Sequence, residues 1–454
     1  MSALLSRRTR ILAIAATVLL VTGAGVALWA RDQLATHNVR GSSTIEFDTS
    51  DVPPGDLTTA PTPTTAPTTT TAPTTTAPPP PLADAWVRYG YDPARTHVAP
   101  ASYHVRPPFR RRWRFDTGLL EFPPAIAGGR AYFSDGRGLF TALDTETGKV
   151  VWQRDFKRCS ASSPTVVDGV VYHAFMAFSC QRGGSEAVGQ IAAMEATTGK
   201  LLWKVTTKVI ESSLLEVDGL LYYGTWGGAV QALDTTTRRV RWSFPVSSDV
   251  TGSIAYAKGA VYFGTNDGQA YSLDARSGKQ RWRNASNSVF GKREYFYATP
   301  AIAYGRVYLP NTDGYVYSFG ADTGKLRWAR RVGTYVYSAP AVWKQTVYVG
   351  TYDGKVVALD AATGEERWHW NAPAAVHGAP TLVDGIIYFA TLKGKHAGSL
   401  RFVKDGPART FGLDARTGKL VWSIREGRYS PIVADDRRLY WSAGRHLDAL
   451  DPQG

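Results

Sequence analysis

The sequence contains very little cysteine and methionine. Two cysteines in 454 residues exclude a disulfide-scaffold mini-protein, an iron–sulfur protein and a zinc site with four thiolate ligands. Three methionines stand against 23 tyrosines, 17 phenylalanines and 14 tryptophans, and aromatic residues are favoured in β-strands. The composition therefore predicts mainly β structure in the folded part of the chain.

Short catalytic motifs are also lacking. The sequence has no G-x-S-x-G nucleophile turn, no phosphate-binding G-x-x-x-x-G-K loop and no H-E-x-x-H zinc pair. Its eight histidines show no repeated metal-ligand spacing. No catalytic, cofactor-binding or metal-binding residue is therefore predicted.

Residues 11–30 form a run of 20 uncharged residues, which as a helix would span roughly 30 Å of hydrocarbon. Arg7, Arg8 and Arg10 precede the run, so the positive-inside bias predicts a cytoplasmic tail at 1–10 and a single-pass membrane anchor. A cleaved signal peptide, with Gly25 and Ala27 as the small residues of its processing site, is the alternative. Both interpretations predict that the rest of the chain is extracytoplasmic.

Residues 31–85 are predicted to form an extracytoplasmic linker. Its central tract, residues 53–82, contains ten prolines and twelve threonines among 30 positions. Such a composition offers too little apolar surface to offset the entropy lost on ordering. We therefore expect the tract to be an extended, solvated stalk that holds the folded head away from the membrane.

From residue 110 onward, one phrase that ends in tryptophan recurs. Its copies run from A-L-D-T-E-T-G-K-V-V-W at 142–152 to G-L-D-A-R-T-G-K-L-V-W at 412–422, with successive tryptophans 51, 39, 40, 46, 40 and 54 residues apart. Two β-rich runs joined by a tight turn precede the phrase, as in S-P-T-V-V-D-G-V-V-Y-H-A at 163–174. One unit is thus predicted to contain four short antiparallel strands, called a, b, c and d, with the tryptophan on d.

An eighth unit is divided between the two ends of the repeat region. Residues 449–454 supply a c strand and turn without a tryptophan, and R-R-R-W-R-F at 110–115 supplies the missing d strand. Pairing of these segments would close a ring and remove its sheet edges. Residues 86–454 are therefore predicted to form an all-β, eight-bladed β-propeller. Its predicted docking tryptophans are Trp113, Trp152, Trp203, Trp242, Trp282, Trp328, Trp368 and Trp422.

The phrase resembles the pyrroloquinoline-quinone-like (PQQ-like) propeller repeat, whose docking motif is A-x-D-x-x-T-G-x-x-x-W. The resemblance covers roughly residues 86–454, including a family-like opening segment at Trp86, Tyr89, Gly90, Asp92 and Arg95. Two copies depart from the motif, since Arg238 replaces the usual glycine and Gly320 stands near the usual aspartate. We expect looser turns at these two positions. The family implies the fold, but it includes quinoprotein dehydrogenases, assembly scaffolds and sensor heads.

Three connections are longer than their counterparts, at 176–190, 283–299 and 392–410. In the predicted strand order they are b–c or d–a connections, which share one face of the ring. Variable loops on a rigid frame commonly carry recognition. The residues that open the inner strands on this face are expected to surround the mouth of the central channel, either as ligand-binding groups or as groups that only solvate the mouth: Glu121, Glu211, Tyr297, Tyr337, His377 and Arg428.

Both cysteines also fall on this face. Cys159 lies in a d–a connection and Cys180 in the following b–c connection. Since an exported protein favours oxidised cysteines, we expect a Cys159–Cys180 disulfide, with a functional thiol pair as the alternative.

The positive charge belongs to the folded part. Residues 1–85 carry five Lys or Arg and six Asp or Glu, which is a net charge of −1. Since the whole chain has a net charge of +14, residues 86–454 carry +15. Such a head favours anionic partners, and an exported location argues against nucleic acid. The densest basic run comprises Arg106, Arg110, Arg111, Arg112 and Arg114.

The combined features favour a non-enzymatic binding or assembly scaffold for a protein or a cell-envelope polymer. In blade number and motif the chain is similar to the propeller lipoprotein of bacterial outer-membrane barrel assembly. The alternative is a PQQ- and Ca²⁺-dependent quinoprotein dehydrogenase, which the family resemblance implies. Those enzymes typically carry two adjacent cysteines against the cofactor, whereas Cys159 and Cys180 are 21 positions apart. No cofactor is therefore predicted.

Overall fold

The structure is a computed structural model that describes residues 38–53, 56, 85–177, 188–288, 292–392, 403–429 and 432–453. The predicted tail (1–10), the predicted membrane anchor (11–30) and nearly all of the Pro/Thr tract lie outside these residues, so they stay predictions. Within the described ranges, no helix is long and apolar enough to cross a membrane.

The described chain forms eight four-stranded antiparallel sheets, the blades. The chain begins its strands with β1 (Phe109–Asp116). Blade 1 contains β2 (Ala125–Ala127), β3 (Arg130–Ser134), β4 (Leu139–Asp144) and β5 (Val150–Asp155). Blade 2 contains β6 (Thr165–Val167), β7 (Val170–Phe175), β8 (Val188–Glu195) and β9 (Leu201–Lys208). Blade 3 contains β10 (Leu215–Val217), β11 (Leu220–Thr225), β12 (Ala229–Asp234) and β13 (Val240–Pro245). Blade 4 contains β14 (Ala255–Ala257), β15 (Ala260–Gly264), β16 (Gln269–Asp274) and β17 (Gln280–Ala285).

The remaining blades repeat this order. Blade 5 contains β18 (Ala301–Ala303), β19 (Arg306–Pro310), β20 (Tyr315–Gly320) and β21 (Leu326–Arg331). Blade 6 contains β22 (Ala341–Trp343), β23 (Thr346–Gly350), β24 (Lys355–Asp360) and β25 (Glu366–Asn371). Blade 7 contains β26 (Thr381–Val383), β27 (Ile386–Ala390), β28 (Thr410–Asp414) and β29 (Leu420–Ile424). Blade 8 contains β30 (Ile432–Ala434), β31 (Leu439–Ser442) and β32 (His446–Pro452), and its outer strand is β1.

The ring closes as the divided eighth unit predicts. β1 pairs antiparallel with β32, from Phe109 opposite Pro452 to Asp116 opposite His446. The inner strands β2 and β30 also contact each other. The eight-bladed, all-β propeller is therefore confirmed for the described residues.

The docking tryptophans join neighbouring blades. Six of their indole N–H groups donate to a backbone carbonyl of the next blade over 2.7–3.1 Å, those of Trp113, Trp152, Trp242, Trp282, Trp328 and Trp368. The ring also lies on the turn glycine of that blade. A Cβ on Gly324, for example, would come within 2.5 Å of the Trp282 ring. The motif glycine is thus required for close approach as well as for its backbone angle.

The turn with Arg238 keeps its shape, which differs from the looser turn that we expected. Arg238 adopts the positive φ of the glycine it replaces, 61°. Asp234 Oδ1 still accepts from the Thr237 N–H at 2.7 Å, as the motif aspartate does in other blades. The turn hydrogen bonds therefore hold the arginine in a backbone conformation that is unfavourable for it.

The central channel is filled by residues 85–99, here called the lead-in. Its backbone hydrogen-bonds to the middle residue of inner strands in six blades: Ile126, Val166, Tyr256, Ile302, Val342 and Leu382. In blade 3, the guanidinium of Arg88 donates to the Glu216 carbonyl instead, at 3.2 Å. Arg95 is fully buried and donates to the carbonyls of Ile254 and Leu214 at 3.0 and 3.2 Å. The lead-in thus pairs the free inner edges of the blades and blocks the channel.

Residues 38–53 and 56, here called the strap, pack on blades 4 to 6. Val39 pairs antiparallel with Ala329 of β21, and the backbones of Asp48 and Asp51 pair with Tyr304 in the a–b turn of blade 5. These residues fall in the segment that the sequence-based prediction treats as linker. The docked chain therefore begins well before residue 86.

Candidate functional site

A cavity of about 110 Å³ lies at the ring axis, on the face that carries the d–a and b–c connections. Five residues of the predicted mouth line it together, namely Glu121, Glu211, Tyr297, Tyr337 and His377. Tyr89 of the lead-in also lines the cavity, so the lead-in closes its inner end. We call this cavity the axial pocket.

Two carboxylates form the acidic side of the axial pocket. Glu211 accepts a hydrogen bond from the Tyr297 hydroxyl at 2.7 Å and another from the Trp226 indole N–H at 2.9 Å. Burial and the charge of Glu211 raise the pKa of Glu121, and the guanidinium of Arg428 partly opposes this. Because two carboxylates repel each other in a partly dry site, a positive group between them would be stabilised.

Aromatic rings form another part of the lining. The centroid of the Tyr337 ring is 4.5 Å from that of Tyr297, 5.1 Å from that of Tyr352 and 5.4 Å from that of His377. The His377 Nδ1 also hydrogen-bonds with the Tyr352 hydroxyl. Burial lowers the pKa of His377 to about 4, so its ring is neutral at pH 7. This wall therefore presents ring faces and hydroxyl groups without a positive charge.

Arg428 is the predicted mouth residue that does not line the pocket. Its side chain lies beside Gly444, and the neighbouring Tyr429 lines the pocket instead, with its ring 5.4 Å from that of His377. Arg428 acts on the pocket through its charge, because its guanidinium partly opposes the rise in the pKa of Glu121 that burial and Glu211 cause.

Sequence reasoning also missed Trp226 and Tyr352, which contact pocket residues from b–c turns. Each directly follows a Gly-Thr pair at the end of a b strand. Blade 4 has the same Gly-Thr pair, but Asn266 follows it. An aromatic residue directly after Gly-Thr is the signal that would have found them.

The three long connections take the predicted positions in the strand order. They join β7 to β8, β17 to β18 and β27 to β28, which are b–c, d–a and b–c connections. Their central parts, 178–187, 289–291 and 393–402, lie outside the described residues. Cys159 is buried, with its Sγ 3.8 Å from the Met176 Sδ. Cys180 lies outside the described residues, so the Cys159–Cys180 disulfide stays a prediction.

The basic run around β1 is largely engaged in ion pairs. Arg112 pairs with Glu146 and Asp451 at 3.0 and 3.2 Å, and Arg114 binds Asp448 with two bonds of 2.9 Å. Arg106 pairs with Asp384 at 2.8 Å. Much of the charge that suggested an anion-binding surface is therefore already countered by carboxylates of the propeller itself.

The axial pocket, as the described residues form it, is smaller than the pockets that usually hold a cofactor such as a quinone with calcium. Cofactor pockets commonly measure about 300–1,000 Å³, and the axial pocket measures about 110 Å³ with Tyr89 across its inner end. Among the described residues, no group of three or more His, Cys, Asp or Glu side chains is arranged to hold a metal ion. The axial pocket has room for a side chain or a few water molecules.

The family described as outer membrane protein assembly factor BamB matches residues 109–207, 187–335 and 312–434. Among curated proteins, the serine/threonine-protein kinase AfsK of Streptomyces coelicolor is 32% identical over 139 residues, which is 30% of this chain and 16% of the kinase. BamB of Yersinia pestis is 27% identical over 129 residues, 26% of this chain and 31% of BamB. The dehydrogenase subunit of the alcohol dehydrogenase (quinone) of Gluconobacter oxydans is 32% identical over 135 residues, 26% of this chain and 16% of the subunit. The matches thus span less than a third of each relative.

Solved structures share the fold. BamB from Moraxella catarrhalis aligns with a TM-score of 0.61 at 16% identity and covers 76% of this chain and 99% of its own. A europium-containing methanol dehydrogenase aligns with a TM-score of 0.63 at 14% identity and covers 81% of this chain and 98% of its own. At these identities the likeness extends to the propeller fold alone.

Proposed function

We propose a function from one premise, which is that this chain belongs to the propeller family described as outer membrane protein assembly factor BamB. On that basis, the protein is a cell-envelope scaffold that binds a partner protein and does no chemistry of its own. The observation that carries the proposal is the axial pocket, which is lined by two carboxylates together with tyrosine rings.

The chemistry of the axial pocket favours a positively charged side chain of the partner. Glu121 and Glu211 would attract an ammonium or guanidinium group, and the rings of Tyr297 and Tyr337 offer it cation–π contacts. An anionic envelope polymer would instead meet two carboxylates there. A protruding lysine or arginine of a protein is therefore the preferred occupant.

The overall charge acts at longer range than the pocket. A net charge of +15 on residues 86–454 would favour approach of an acidic partner surface, and the pocket would then select a protruding basic side chain. In this proposal, residues 11–30 anchor the protein in the membrane and the propeller lies on the extracytoplasmic side.

A quinoprotein dehydrogenase is the second candidate, because one relative bears the name alcohol dehydrogenase (quinone). The small volume of the axial pocket and its closure by Tyr89 make the scaffold the better supported of the two.

The test is a titration of the detergent-solubilised full chain with capped tripeptides that differ only in the central residue. Lysine, arginine, norleucine and glutamate are compared, and tryptophan fluorescence reports binding, since the Trp226 indole donates to Glu211. We expect saturable binding of the lysine and arginine peptides, and loss of their preference over norleucine in Glu121→Gln/Glu211→Gln.

Asp322→Asn, an exposed turn residue on the opposite face, is the matched control and should bind like the wild type. Equal binding of the lysine and norleucine peptides would contradict the proposal. Saturable quenching by pyrroloquinoline quinone with Ca²⁺, together with alcohol-dependent dye reduction, would favour the dehydrogenase.

A further inference from the structure

We infer that the outer edge of blade 5 is a peptide-binding site, and that the chain's own strap occupies it in place of a missing repeat residue. The inference concerns a different surface from the axial pocket and does not depend on it. It starts from the turn between the c and d strands.

In most blades this turn is held by its own aspartate. In blade 6, Asp360 Oδ1 accepts from the Thr363 hydroxyl, three residues later, at 3.1 Å, and Oδ2 accepts from Arg367, seven residues later, at 2.8 Å. Blade 4 repeats the arrangement at the same spacing, with Asp274 bound to Ser277 at 2.8 Å and to Arg281 at 2.9 Å.

Blade 5 has the two donors but lacks the carboxylate. Gly320 occupies the aspartate position, and Thr323 and Arg327 follow at the same spacing. Glu46 of the strap supplies the carboxylate instead. Its Oε2 accepts from the Thr323 hydroxyl at 2.9 Å and from Arg327 Nε at 2.8 Å. A Cβ on residue 320 would overlap the Glu46 carboxylate, so the glycine leaves the space that the strap fills.

A second contact captures the strap backbone. Arg306, at the start of β19, is fully buried and donates to the carbonyls of Ser42, Ile45 and Glu46. Its guanidinium also lies over the ring of Phe47, 5.7 Å from the centroid. A buried guanidinium is costly unless several of its N–H groups find acceptors, and the strap carbonyls supply three of them.

The start of the strap extends the sheet of blade 5. Val39 and Ala329 exchange two backbone hydrogen bonds of 2.8 and 3.0 Å, and the Gly41 N–H donates to the Thr363 carbonyl of blade 6 at 2.9 Å. A Cβ on Gly41 would lie 2.7 Å from Cδ1 of the docking residue Trp328. This is recognition by strand addition, in which main-chain bonds give affinity and one side chain gives register.

The strap changes how the Pro/Thr tract relates to the head. The tract leaves from Asp56, which accepts hydrogen bonds from the Tyr304 hydroxyl and from the Lys344 N–H, the latter at 2.8 Å. It returns at Ala85, whose N–H donates to the Ile126 carbonyl at 3.3 Å. Both ends are bound to the propeller, so the tract joins two points on the head. Only residues 31–37, at most about 25 Å of chain, then separate the predicted membrane anchor from the strap.

The test cuts the tract and asks whether the two parts separate. A specific protease site is inserted after Thr70 in the full chain, which carries an affinity tag at its N-terminus and is purified in detergent. After cleavage, the rate at which the head dissociates from the tagged fragment is measured. We expect the head to stay bound, whereas a free stalk would release it at once.

The decisive variant is Gly320→Asp, which restores the repeat motif. The new carboxylate would bind Thr323 and Arg327 in place of Glu46, so we expect release on the order of 10- to 100-fold faster than in the wild type. The midpoint temperature of thermal unfolding of the released head should not fall, because the new carboxylate completes the turn. Asp144→Gly removes the equivalent carboxylate of blade 1, which binds the Thr147 hydroxyl and lies outside the strap-bound blades 4 to 6, and it should retain the fragment like the wild type.

Prompt release of the wild-type head after cleavage would overturn the inference. The inference would also be overturned if the Gly320→Asp head dissociated from the tagged fragment as slowly as the wild-type head. The vacant carboxylate position would then play no part in binding the strap.

Discussion

On the face that carries the a–b turns, the strap lies across blades 4 to 6 and uses buried groups such as Arg306 to hold it. The opposite face has a pocket at the axis, where Glu211 accepts a hydrogen bond from Tyr297 and the Tyr337 ring packs against the Tyr297 ring. The difference separates two kinds of polar side chain. Those under the strap bind another segment of the chain, whereas those in the axial pocket line a cavity. Substitutions under the strap should therefore lower stability more than ligand binding. Substitutions of tyrosine in the axial pocket should lower ligand binding more than stability.

The largest loss of stability is expected between blades. Trp282→Ala removes a buried indole that packs on Gly324 and donates to the Ala321 carbonyl at 2.7 Å. The free energy of unfolding should fall by about 3–5 kcal/mol. Denaturant unfolding measures this, with the exposed Leu202→Ala as the matched control that should change it little. A loss below about 1 kcal/mol would show that the docking motif does not hold the ring.

Beneath the strap, Arg306→Met should cost about 2–3 kcal/mol of unfolding free energy, because three strap carbonyls lose a charged donor. Arg281→Met, a more exposed arginine paired with Asp274, is the control and should cost less than about 1 kcal/mol. Equal costs in denaturant unfolding would mean that the strap contributes nothing to the stability of the head.

At the axial pocket, stability should depend on pH through His377. Burial lowers its pKa from 6.5 to about 4, so the unfolded chain takes up a proton first as the pH falls. The contribution of the neutral His377 ring to the free energy of unfolding is intact above about pH 7 and decreases between pH 6.5 and 4, by about 3 kcal/mol. Comparing unfolding of the wild type with His377→Gln isolates this residue from the buried His97 and His173. Parallel pH profiles would contradict the prediction.

The smallest change in stability is expected from Tyr337→Phe. The ring contacts remain, and the hydroxyl loses one long interaction with Tyr335 at 3.3 Å, so unfolding should change by less than about 0.5 kcal/mol. Binding of the lysine tripeptide should nevertheless weaken, because the ammonium group loses the hydroxyl oxygen as a hydrogen-bond acceptor, and fluorescence titration would show this. If Tyr337→Phe lowered the free energy of unfolding but bound the lysine tripeptide like the wild type, Tyr337 would contribute to stability and not to binding.

Much of the architecture could be predicted because it repeats. The tryptophan period predicts the blades, and the divided unit at Trp113 predicts the pairing of β1 with β32. The mouth residues are predictable for the same reason, since Glu121 and Tyr337 hold equivalent places in their blades. Tyr352 and Trp226 contact pocket residues from b–c turns, and the Gly-Thr-aromatic pattern marks their places but not which side chains they meet.

The strap could not be predicted because nothing in it repeats. Val39 and Glu46 follow no periodic pattern, and their contacts lie nearly 300 residues away in the chain. The departure at Gly320 was visible as a missing aspartate. Its replacement by a glutamate from a distant segment required the three-dimensional arrangement of both.

The strap also determines where a mechanical load enters the propeller. Tension on the chain ahead of residue 38 would first reach the paired backbones of Val39 and Ala329 in blade 5. β1, the strand that closes the ring, lies beyond both the Pro/Thr tract and the lead-in, and it would carry no tension until the strap had peeled away. The closure is thus isolated from forces that arrive through the N-terminal chain.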